Sequence, residues 1–444
     1  MNRQVLSRVI NASKYHRNYL SLKAPSSQSL RVMTYNLLAD VHAEPYMFPK
    51  CSKEEINQNS RFCLIHKEIE CMSPDILCVQ ELEEIESESF SKAGLLRNFS
   101  KVYFAKPIAE QPKPRVEGSA IFFSKEKFSL VGSHCLNFKM TKDVYQKTDI
   151  FSKEMVKSCV ASVAVLEPKD ISFSNQNSSN RIRVISTHLP FSVNQGHLKF
   201  AILVLIFRSI EALKLKYGFD DVLLCGDFNL VPHSMLYEYL VSQSLDLGVD
   251  IRDFSNQIFV RNILQSEGAE RSVVEGDRRI KGLYSHQGRH QSDEFYKILS
   301  GVYPVFHDQG AVTFTPPHEV DLRRLEEIQK SLELLSQSTA FKSSYAEVKN
   351  EIIKKDLEDK KLFSFSHDPS KFHNEAIYTH FANKMLLAVD YIFFNRNGRL
   401  KPTGILDVPD FSWMMSKERS LPFAPFGSDH ISLVADFEVK IKHK

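Results

Sequence analysis

Val222-Leu223-Leu224-Cys225-Gly226-Asp227-Phe228-Asn229 is the stretch that decides how this chain folds. Four apolar residues in a row predict a short strand covered on both faces. The strand then runs into a polar end. Side chains alternate along a strand with a period of two, so Asp227 and Asn229 point the same way from its tip. Aspartate accepts hydrogen bonds, and asparagine both accepts and donates them. Such a pair can orient a water and hold the group it attacks. Gly, Asp and Asn also favour ordinary turns, so the pair means chemistry only in company.

Working outward, apolar and β-branched runs recur on both sides. Arg31–Leu37, Asp75–Gln80, Lys101–Ala105, Ser119–Phe123, Val160–Leu166, Ile182–Thr187, Val389–Phe394 and Ile431–Phe437 all predict strands. Helices are predicted over Lys53–Met72, stopped by Pro74, over Gly196–Tyr217, and in a shorter piece after Pro232. Many strands with helices outside them predict one α/β sandwich rather than two domains. The catalytic domain is expected over 31–444. Within it, Val320–Lys361 is dense in Glu, Lys and Leu, with Leu322, Leu325, Ile328 and Leu332 at helical spacing. That segment, 320–361, is expected to be a charged helical insertion.

The strand ends carry the polar company. Gln80-Glu81 closes one strand, Thr187-His188 another, and Asn36 a third. A carboxylate such as Glu81 is a natural hard-oxygen ligand for Mg²⁺. Asp390 stands inside an apolar strand, where it is costly without a partner. His430, in Ser428-Asp429-His430, would be a fitting one: the pair would orient the imidazole and favour its protonated form. Taken singly, each residue is as easily a turn, a loop or a charged helix start. Taken together, they place polar groups on one rim of the sandwich, where layered α/β folds carry active sites.

Composition sets the bounds. The chain has 444 residues, 43% of them hydrophobic, enough for a large core. Formal net charge is +3, so a nucleic-acid partner would need a local field rather than a global one. Seven cysteines, with no Cys-x-x-Cys pair, argue against a disulfide scaffold or a structural zinc site. The apolar run Phe200–Phe207 falls far short of the roughly 20 residues that span a bilayer. No membrane partner is expected. The first 30 residues hold Arg3, Arg8, Lys14, Arg17 and Lys23 and no acid, with Val5, Leu6, Val9 and Ile10 on one helical face. This pattern fits either a mitochondrial transit peptide or a basic arm touching RNA, leaving the compartment open between mitochondrial and cytoplasmic or nuclear.

The order of motifs is itself specific. Tyr35-Asn36-Leu37-Leu38-Ala39, Val79-Gln80-Glu81, Glu117-Gly118-Ser119-Ala120-Ile121-Phe122-Phe123, Thr187-His188-Leu189, Gly226-Asp227-Phe228-Asn229, Val389-Asp390-Tyr391-Ile392 and Ser428-Asp429-His430 succeed one another from Arg31 to Val439. The series resembles the endonuclease/exonuclease/phosphatase superfamily. In detail it is similar to the deadenylase-like branch that includes Angel, nocturnin, the 2′,5′-phosphodiesterases and the fungal Ngl-type RNA exonucleases. The resemblance implies a four-layer α/β sandwich and a phosphodiester hydrolase using Mg²⁺ (or Mn²⁺), as one or two ions. It implies Glu81 as principal metal ligand, with Asn36 and Asp429 close to the metal. Asp227 and Asn229 would position the water and the phosphate, His188 would contact the phosphate, and Asp390 would orient His430.

The resemblance also implies substrate contacts. Lys199 would meet a phosphate. Tyr378-Thr379-His380-Phe381 is similar to a Phe-Thr-Asn-Tyr type segment, so His380 and Phe381 would line the nucleotide site, Phe381 either stacking on a base or packing in the core. Ser192 stands where relatives carry an amide, His197 where they carry an acid, and His380 where they carry Asn. Three functions follow as expectations: a 3′-to-5′ RNA exonuclease; a hydrolase of small nucleotides, 2′,5′-oligonucleotides or 2′,3′-cyclic ends; or an inactive RNA- or protein-binding member.

Overall fold

The computed structural model of the chain describes residues 15–22, 29–106, 116–138, 159–169, 180–192, 195–218, 221–232, 234–242, 303–307, 310–315, 340–358, 374–382 and 385–439. The strands are β1 (Tyr19–Ser21), β2 (Leu30–Asn36), β3 (Ile76–Glu83), β4 (Phe99–Ala105), β5 (Glu117–Ser124), β6 (Phe128–Asn137), β7 (Val160–Pro168), β8 (Ile182–His188), β9 (Asp221–Asp227), β10 (Tyr303–Phe306), β11 (Ala311–Thr315), β12 (Phe341–Ser343), β13 (His380–Ala382), β14 (Met385–Leu387), β15 (Asp390–Asn395), β16 (Leu400–Leu406) and β17 (Leu433–Val439). The helices are α1 (Lys53–Ile56), α2 (Gln58–Met72), α3 (Ser87–Lys92), α4 (Gly196–Tyr217), α5 (Met235–Ser242), α6 (Ser344–Glu358) and α7 (Phe411–Met415).

Two mixed sheets form the centre. The first runs β1-β16-β17-β2-β3-β5-β4, the second β10-β11-β6-β7-β8-β9-β15-β12. Strands β2, β9 and β15 are buried at every position, as the apolar runs predict. One core lies largely between the sheets, where Val32, Cys78 and Ile121 of the first join Val184, Leu223 and Ile392 of the second. A second core joins the outer face of the second sheet to α4 and α5 through Leu203, Ile206, Leu224, Leu236 and Phe393. Helix α2 covers the outer face of the first sheet with Ile65, Ile69 and Met72. The result is helix, sheet, sheet, helix: the expected four-layer α/β sandwich.

The boundaries differ from expectation in informative places. The single helix predicted over Lys53–Met72 breaks at Asn57, which is extended and whose side chain accepts from the amides of Asn59 and Ser60. An asparagine able to cap a new helix costs less than one buried in a helix interior. Strand β16, for which the sequence carried no expectation, contains Pro402 and Gly404, and the sheet absorbs them in a register shift between those two residues. Residues 15–22, within the stretch read as a basic arm, belong to the domain. Tyr19–Ser21 pairs with Leu406–Gly404, and the Arg17 side chain is buried against Glu68 and Ser432. The segment read as a charged insertion divides. Leu322, Leu325, Ile328 and Leu332 lie outside the described residues, whereas α6 packs on β15 and β16 and sinks Tyr345 and Val348 into the core between the sheets.

Gly226 sits where β8 and β9 close most tightly. Its φ is +142°, and a Cβ there would lie 1.9 Å from the carbonyl oxygen of Thr187. Gly226→Ala is therefore expected to cost more than about 3 kcal/mol, as a backbone clash combined with a conformation L-residues avoid. A melt within a degree of the parent would contradict this.

Candidate active site

Strand direction builds the site. Parallel pairing sets Asn36 beside Gln80 and His188 beside Asp227, so the ends of β2, β3, β8 and β9 meet on one rim. Strand β15 runs antiparallel to β9 and begins where β9 ends, with Asp390 directly opposite Asp227. Asn36 and Glu81 thus come from one sheet, and His188, Asp227 and Asp390 from the other.

Asn36 ties the two sheets together. Its Nδ2 donates to Glu81 Oε1 at 2.9 Å and to Asp227 Oδ2 at 3.0 Å, while its Oδ1 accepts from the amide of Leu38. Glu81 Oε2 accepts from the amide of Ala39 at 2.9 Å. A register shift in β3 between Val79 and Leu82 accommodates Glu81, whose φ is +59°. Leu38 and Asn229 also have positive φ, at +56° and +47°. Left-handed conformations cost non-glycine residues about 1–3 kcal/mol each, and three of the seven such residues among those described stand on this rim.

Asp227 is held from three sides. Its Oδ1 accepts from the amide of Asn229, and its Oδ2, besides Asn36, lies 3.5 Å from His188 Nε2 and 3.7 Å from His430 Nε2. Burial, followed by the negative charge of Asp390, raises the Asp227 carboxyl to about 7. Asn229 Nδ2 donates to Leu189 O at 3.1 Å and faces His188 Nε2 at 3.2 Å. With Nε2 accepting, the hydrogen of a neutral His188 sits on Nδ1, 3.9 Å from Glu81 Oε1 and without a hydrogen-bond partner among the described residues. Burial and then the charge of Lys106 hold His188 down at about 3, so it is neutral.

His430 is the opposite case. Burial would discharge it, but Asp390 Oδ2 at 2.8 Å from Nδ1 more than reverses that and holds the imidazole up to about 10. This is the Asp390–His430 pair expected from sequence. Asp429 keeps its charge despite burial, because His380 at 3.4 Å, then His430 and Arg61, lower it to about 2. Ser428 Oγ donates to Asn36 O and accepts from the His430 amide, locking the Ser-Asp-His turn to the end of β2.

The substrate contacts implied by resemblance fare less uniformly. Lys199 is fully buried and donates to Asn229 O at 2.6 Å, so it braces the Asp-Phe-Asn turn from below and offers no free ammonium to a phosphate. The Phe381 ring packs into the hydrophobic core at 7% exposure, the second of the two places expected for it. His380 does reach the site, bridged to His430 in a short β-pairing with ring centroids 4.7 Å apart. Arg61 was not foreseen. It donates to Leu37 O and Gly427 O, joining the loops that carry Asn36 and Asp429, and lies 3.9 Å from Asp40. Its signal was present in the spacing: Arg61, Ile65, Glu68, Ile69 and Met72 form one buried helical stripe. Phe191, just past His188-Leu189-Pro190, is 58% exposed. It is the unburied aromatic of that rim loop.

The donor set fits a hard divalent cation. Buried Asp227, Asp390 and Asp429 and partly buried Glu81 bring oxygen donors to one rim, and each ionised carboxylate oxygen has lone pairs beyond those used above.

Comparison with known proteins agrees with this geometry. The chain is 29% identical over 233 residues to Ccr4 of Candida albicans, a CCR4-Not complex 3′-5′-exoribonuclease subunit, covering 48% of this chain and 28% of that protein. It is 27% identical over 248 residues to human 2′,5′-phosphodiesterase 12, covering 52% and 38%. The chain therefore spans well under half the length of these two relatives. Carbon catabolite repressor protein 4 homolog 3 of Arabidopsis thaliana is 23% identical over 434 residues, covering 96% of this chain and 80% of that one. Among solved structures, ANGEL2, a 2′,3′-cyclic phosphatase, shares the fold with a TM-score of 0.62 at 20% identity, over 96% of this chain and 99% of that chain. With residues 33–430 matched to it, this chain belongs to the endonuclease/exonuclease/phosphatase family.

Proposed function

We propose that the chain is a Mg²⁺-dependent phosphodiesterase that removes nucleotides from RNA 3′ ends. The observation that supports it is the meeting of Asn36, Glu81, His188, Asp227, Asn229, Asp390, Asp429 and His430 on one rim, in a chain similar to an exoribonuclease and a 2′,5′-phosphodiesterase.

Glu81 would hold the cation, with Asn36 and Asp429 close by. The bound ion supplies charge neutralisation at the phosphate and at the departing oxygen. The protein does the rest. Asp227, with a carboxyl near neutrality, accepts the proton of the attacking water, and the Asn229 and Asn36 hydrogen bonds fix its direction. Neutral His188 offers its Nδ1 hydrogen to a phosphate oxygen. His430, kept protonated by Asp390, donates from Nε2 to another.

Labelled RNA with a free 3′ hydroxyl tests this reading. Degradation is expected with Mg²⁺, none with EDTA, and at least about a hundredfold less with Asp227→Ala. Equal degradation under all three conditions sinks it. The 2′,5′-phosphodiesterase relative supports a second substrate reading. A 2′,5′-linked oligonucleotide and a 2′,3′-cyclic end in the same assay decide between them: faster turnover of either replaces the 3′-end assignment.

Asp390→Asn removes the charge that holds the His430 proton. A raised histidine keeps its proton through neutral pH and loses it only as pH rises toward about 10, so the alkaline limb of the parent lies high. In the variant that limb is expected to move down by more than one pH unit, with kcat reduced about 10–100-fold. An unmoved limb in the pH–rate profile contradicts the role given to the pair.

A further inference from the structure

Arg17 stands outside the residues matched to the family, 33–430, and so does Ser432, to which it is bound. Its side chain is fully buried, and its guanidinium has no donor to spare. Nε donates to Asp407 O at 2.8 Å. Nη1 donates to Ser432 Oγ at 3.0 Å and to Glu68 Oε1 at 3.3 Å. Nη2 donates to Ser432 O at 2.6 Å and to Leu406 O at 3.1 Å. Those are all the N–H groups a guanidinium has, set in one rigid plane. Neutralising Glu68 would need only one of them. Three go to main-chain carbonyls instead, so this side chain fixes backbone as well as charge.

The backbone it fixes leads straight into the rim. Ser432 follows His430 by two residues, and its carbonyl and hydroxyl are both held. The same hydroxyl donates to Glu68 Oε1 at 2.7 Å, and Glu68 Oε2 accepts from the Tyr35 hydroxyl at 2.9 Å. Tyr35 immediately precedes Asn36, and Leu433 pairs with Thr34, so the segments carrying Asn36 and His430 lie side by side. Glu68 belongs to α2. Arg17, Glu68 and Ser432 thus join α2, β2 and the entry to β17 at the base of the site. Strand β1, which follows Arg17, pairs with β16 and holds the guanidinium in place.

We propose that Arg17 is a positioning residue of the active site: through Ser432 and Glu68 it sets the placement of His430 and Asn36 from beneath. It touches no reacting atom. Misplacing a catalytic group by about 1 Å can cost about a hundredfold in rate, so such a brace acts on kcat as well as on stability. A lysine there keeps a charge for Glu68 but lacks the planar fork, and cannot hold the carbonyls of Leu406, Asp407 and Ser432 together. The effect on turnover rests on the phosphodiesterase reading; the placement of His430 does not.

The full-length chain with Arg17→Lys, and separately with Ser432→Ala, tests this at a temperature where circular dichroism shows each folded. In the RNA assay with Mg²⁺, Arg17→Lys is expected to lower kcat at least about tenfold and leave KM within about twofold, and Ser432→Ala to lower kcat about threefold or more. A second readout is independent of activity. The proton on His430 Nδ1, bonded to Asp390 at 2.8 Å, gives a downfield resonance identified by its loss in His430→Gln. Its exchange with solvent is expected to quicken at least about tenfold in Arg17→Lys. A folded Arg17→Lys with parental exchange, or with parental kcat, overturns the proposal and leaves Arg17 a stabilising residue only. If Arg17→Lys does not fold, Ser432→Ala decides by the same two readouts. If the parent turns over none of the RNA ends, the phosphodiesterase reading falls, and the exchange rate alone decides the placement.

Discussion

The Asn36 side chain is the constraint on which the site depends. One amide group donates to Glu81 of the first sheet and to Asp227 of the second, at 2.9 and 3.0 Å. Two carboxylates from separate sheets are thereby held a fixed distance apart without a covalent link. The rest of the rim is arranged around this bridge. Ser428 fastens the His430 turn to the Asn36 carbonyl, Arg61 clamps the loops on either side, and Lys199 supports the Asn229 carbonyl from beneath. Deeper between the sheets, Gln80 donates to Ser186, and Ser119 donates to the Ser186 carbonyl, so a second polar layer fixes the same separation. A fixed separation matters because preorganised groups stabilise charge without reorganising during reaction.

Charge is distributed with equal economy. Asp390 lies opposite Asp227 in the strand pairing, and burial, then the negative charge of Asp390, lifts the Asp227 carboxyl to about 7. The same Asp390 keeps His430 protonated. One carboxylate therefore raises the proton affinity of two neighbours at once, the directions that the proposed base and acid roles require. His188, a third titratable group of the rim, stays neutral because burial and then the charge of Lys106 outweigh the Glu81 carboxylate.

Much of this was legible in the sequence, for specific reasons. The strands that carry the site are buried on both faces, so they read as apolar runs, and their polar ends stand out. Asn36, Glu81, His188, Asp227, Asp390 and His430 stood out as such ends, and their order along the chain, similar to that of the family, singled them out as a set. What could not be read was of two kinds. Some residues carry side chains whose partners come from distant sequence: Lys199 resembles a phosphate contact until Asn229 O is seen to hold it, and Arg61 resembles an ordinary helix residue until its carbonyl partners appear. Others break local rules that the sheet then accommodates, as Pro402 and Gly404 do in β16 and Asn57 does between α1 and α2. Phe381 belongs to a third case. Aromatic stacking and core packing use the same residue type, and only burial separates them.

Cleavage in ¹⁸O-labelled water tests the central claim, that this rim directs a water onto an RNA phosphodiester. Single-turnover reaction of a 3′-hydroxyl RNA with Mg²⁺ should release 5′-nucleotides, each with one ¹⁸O in its phosphate by mass spectrometry. A 2′,3′-cyclic product, or released phosphate groups without label, would mean that the attacking oxygen comes from the substrate, and that Asp227 and its neighbours do not serve the chemistry assigned to them.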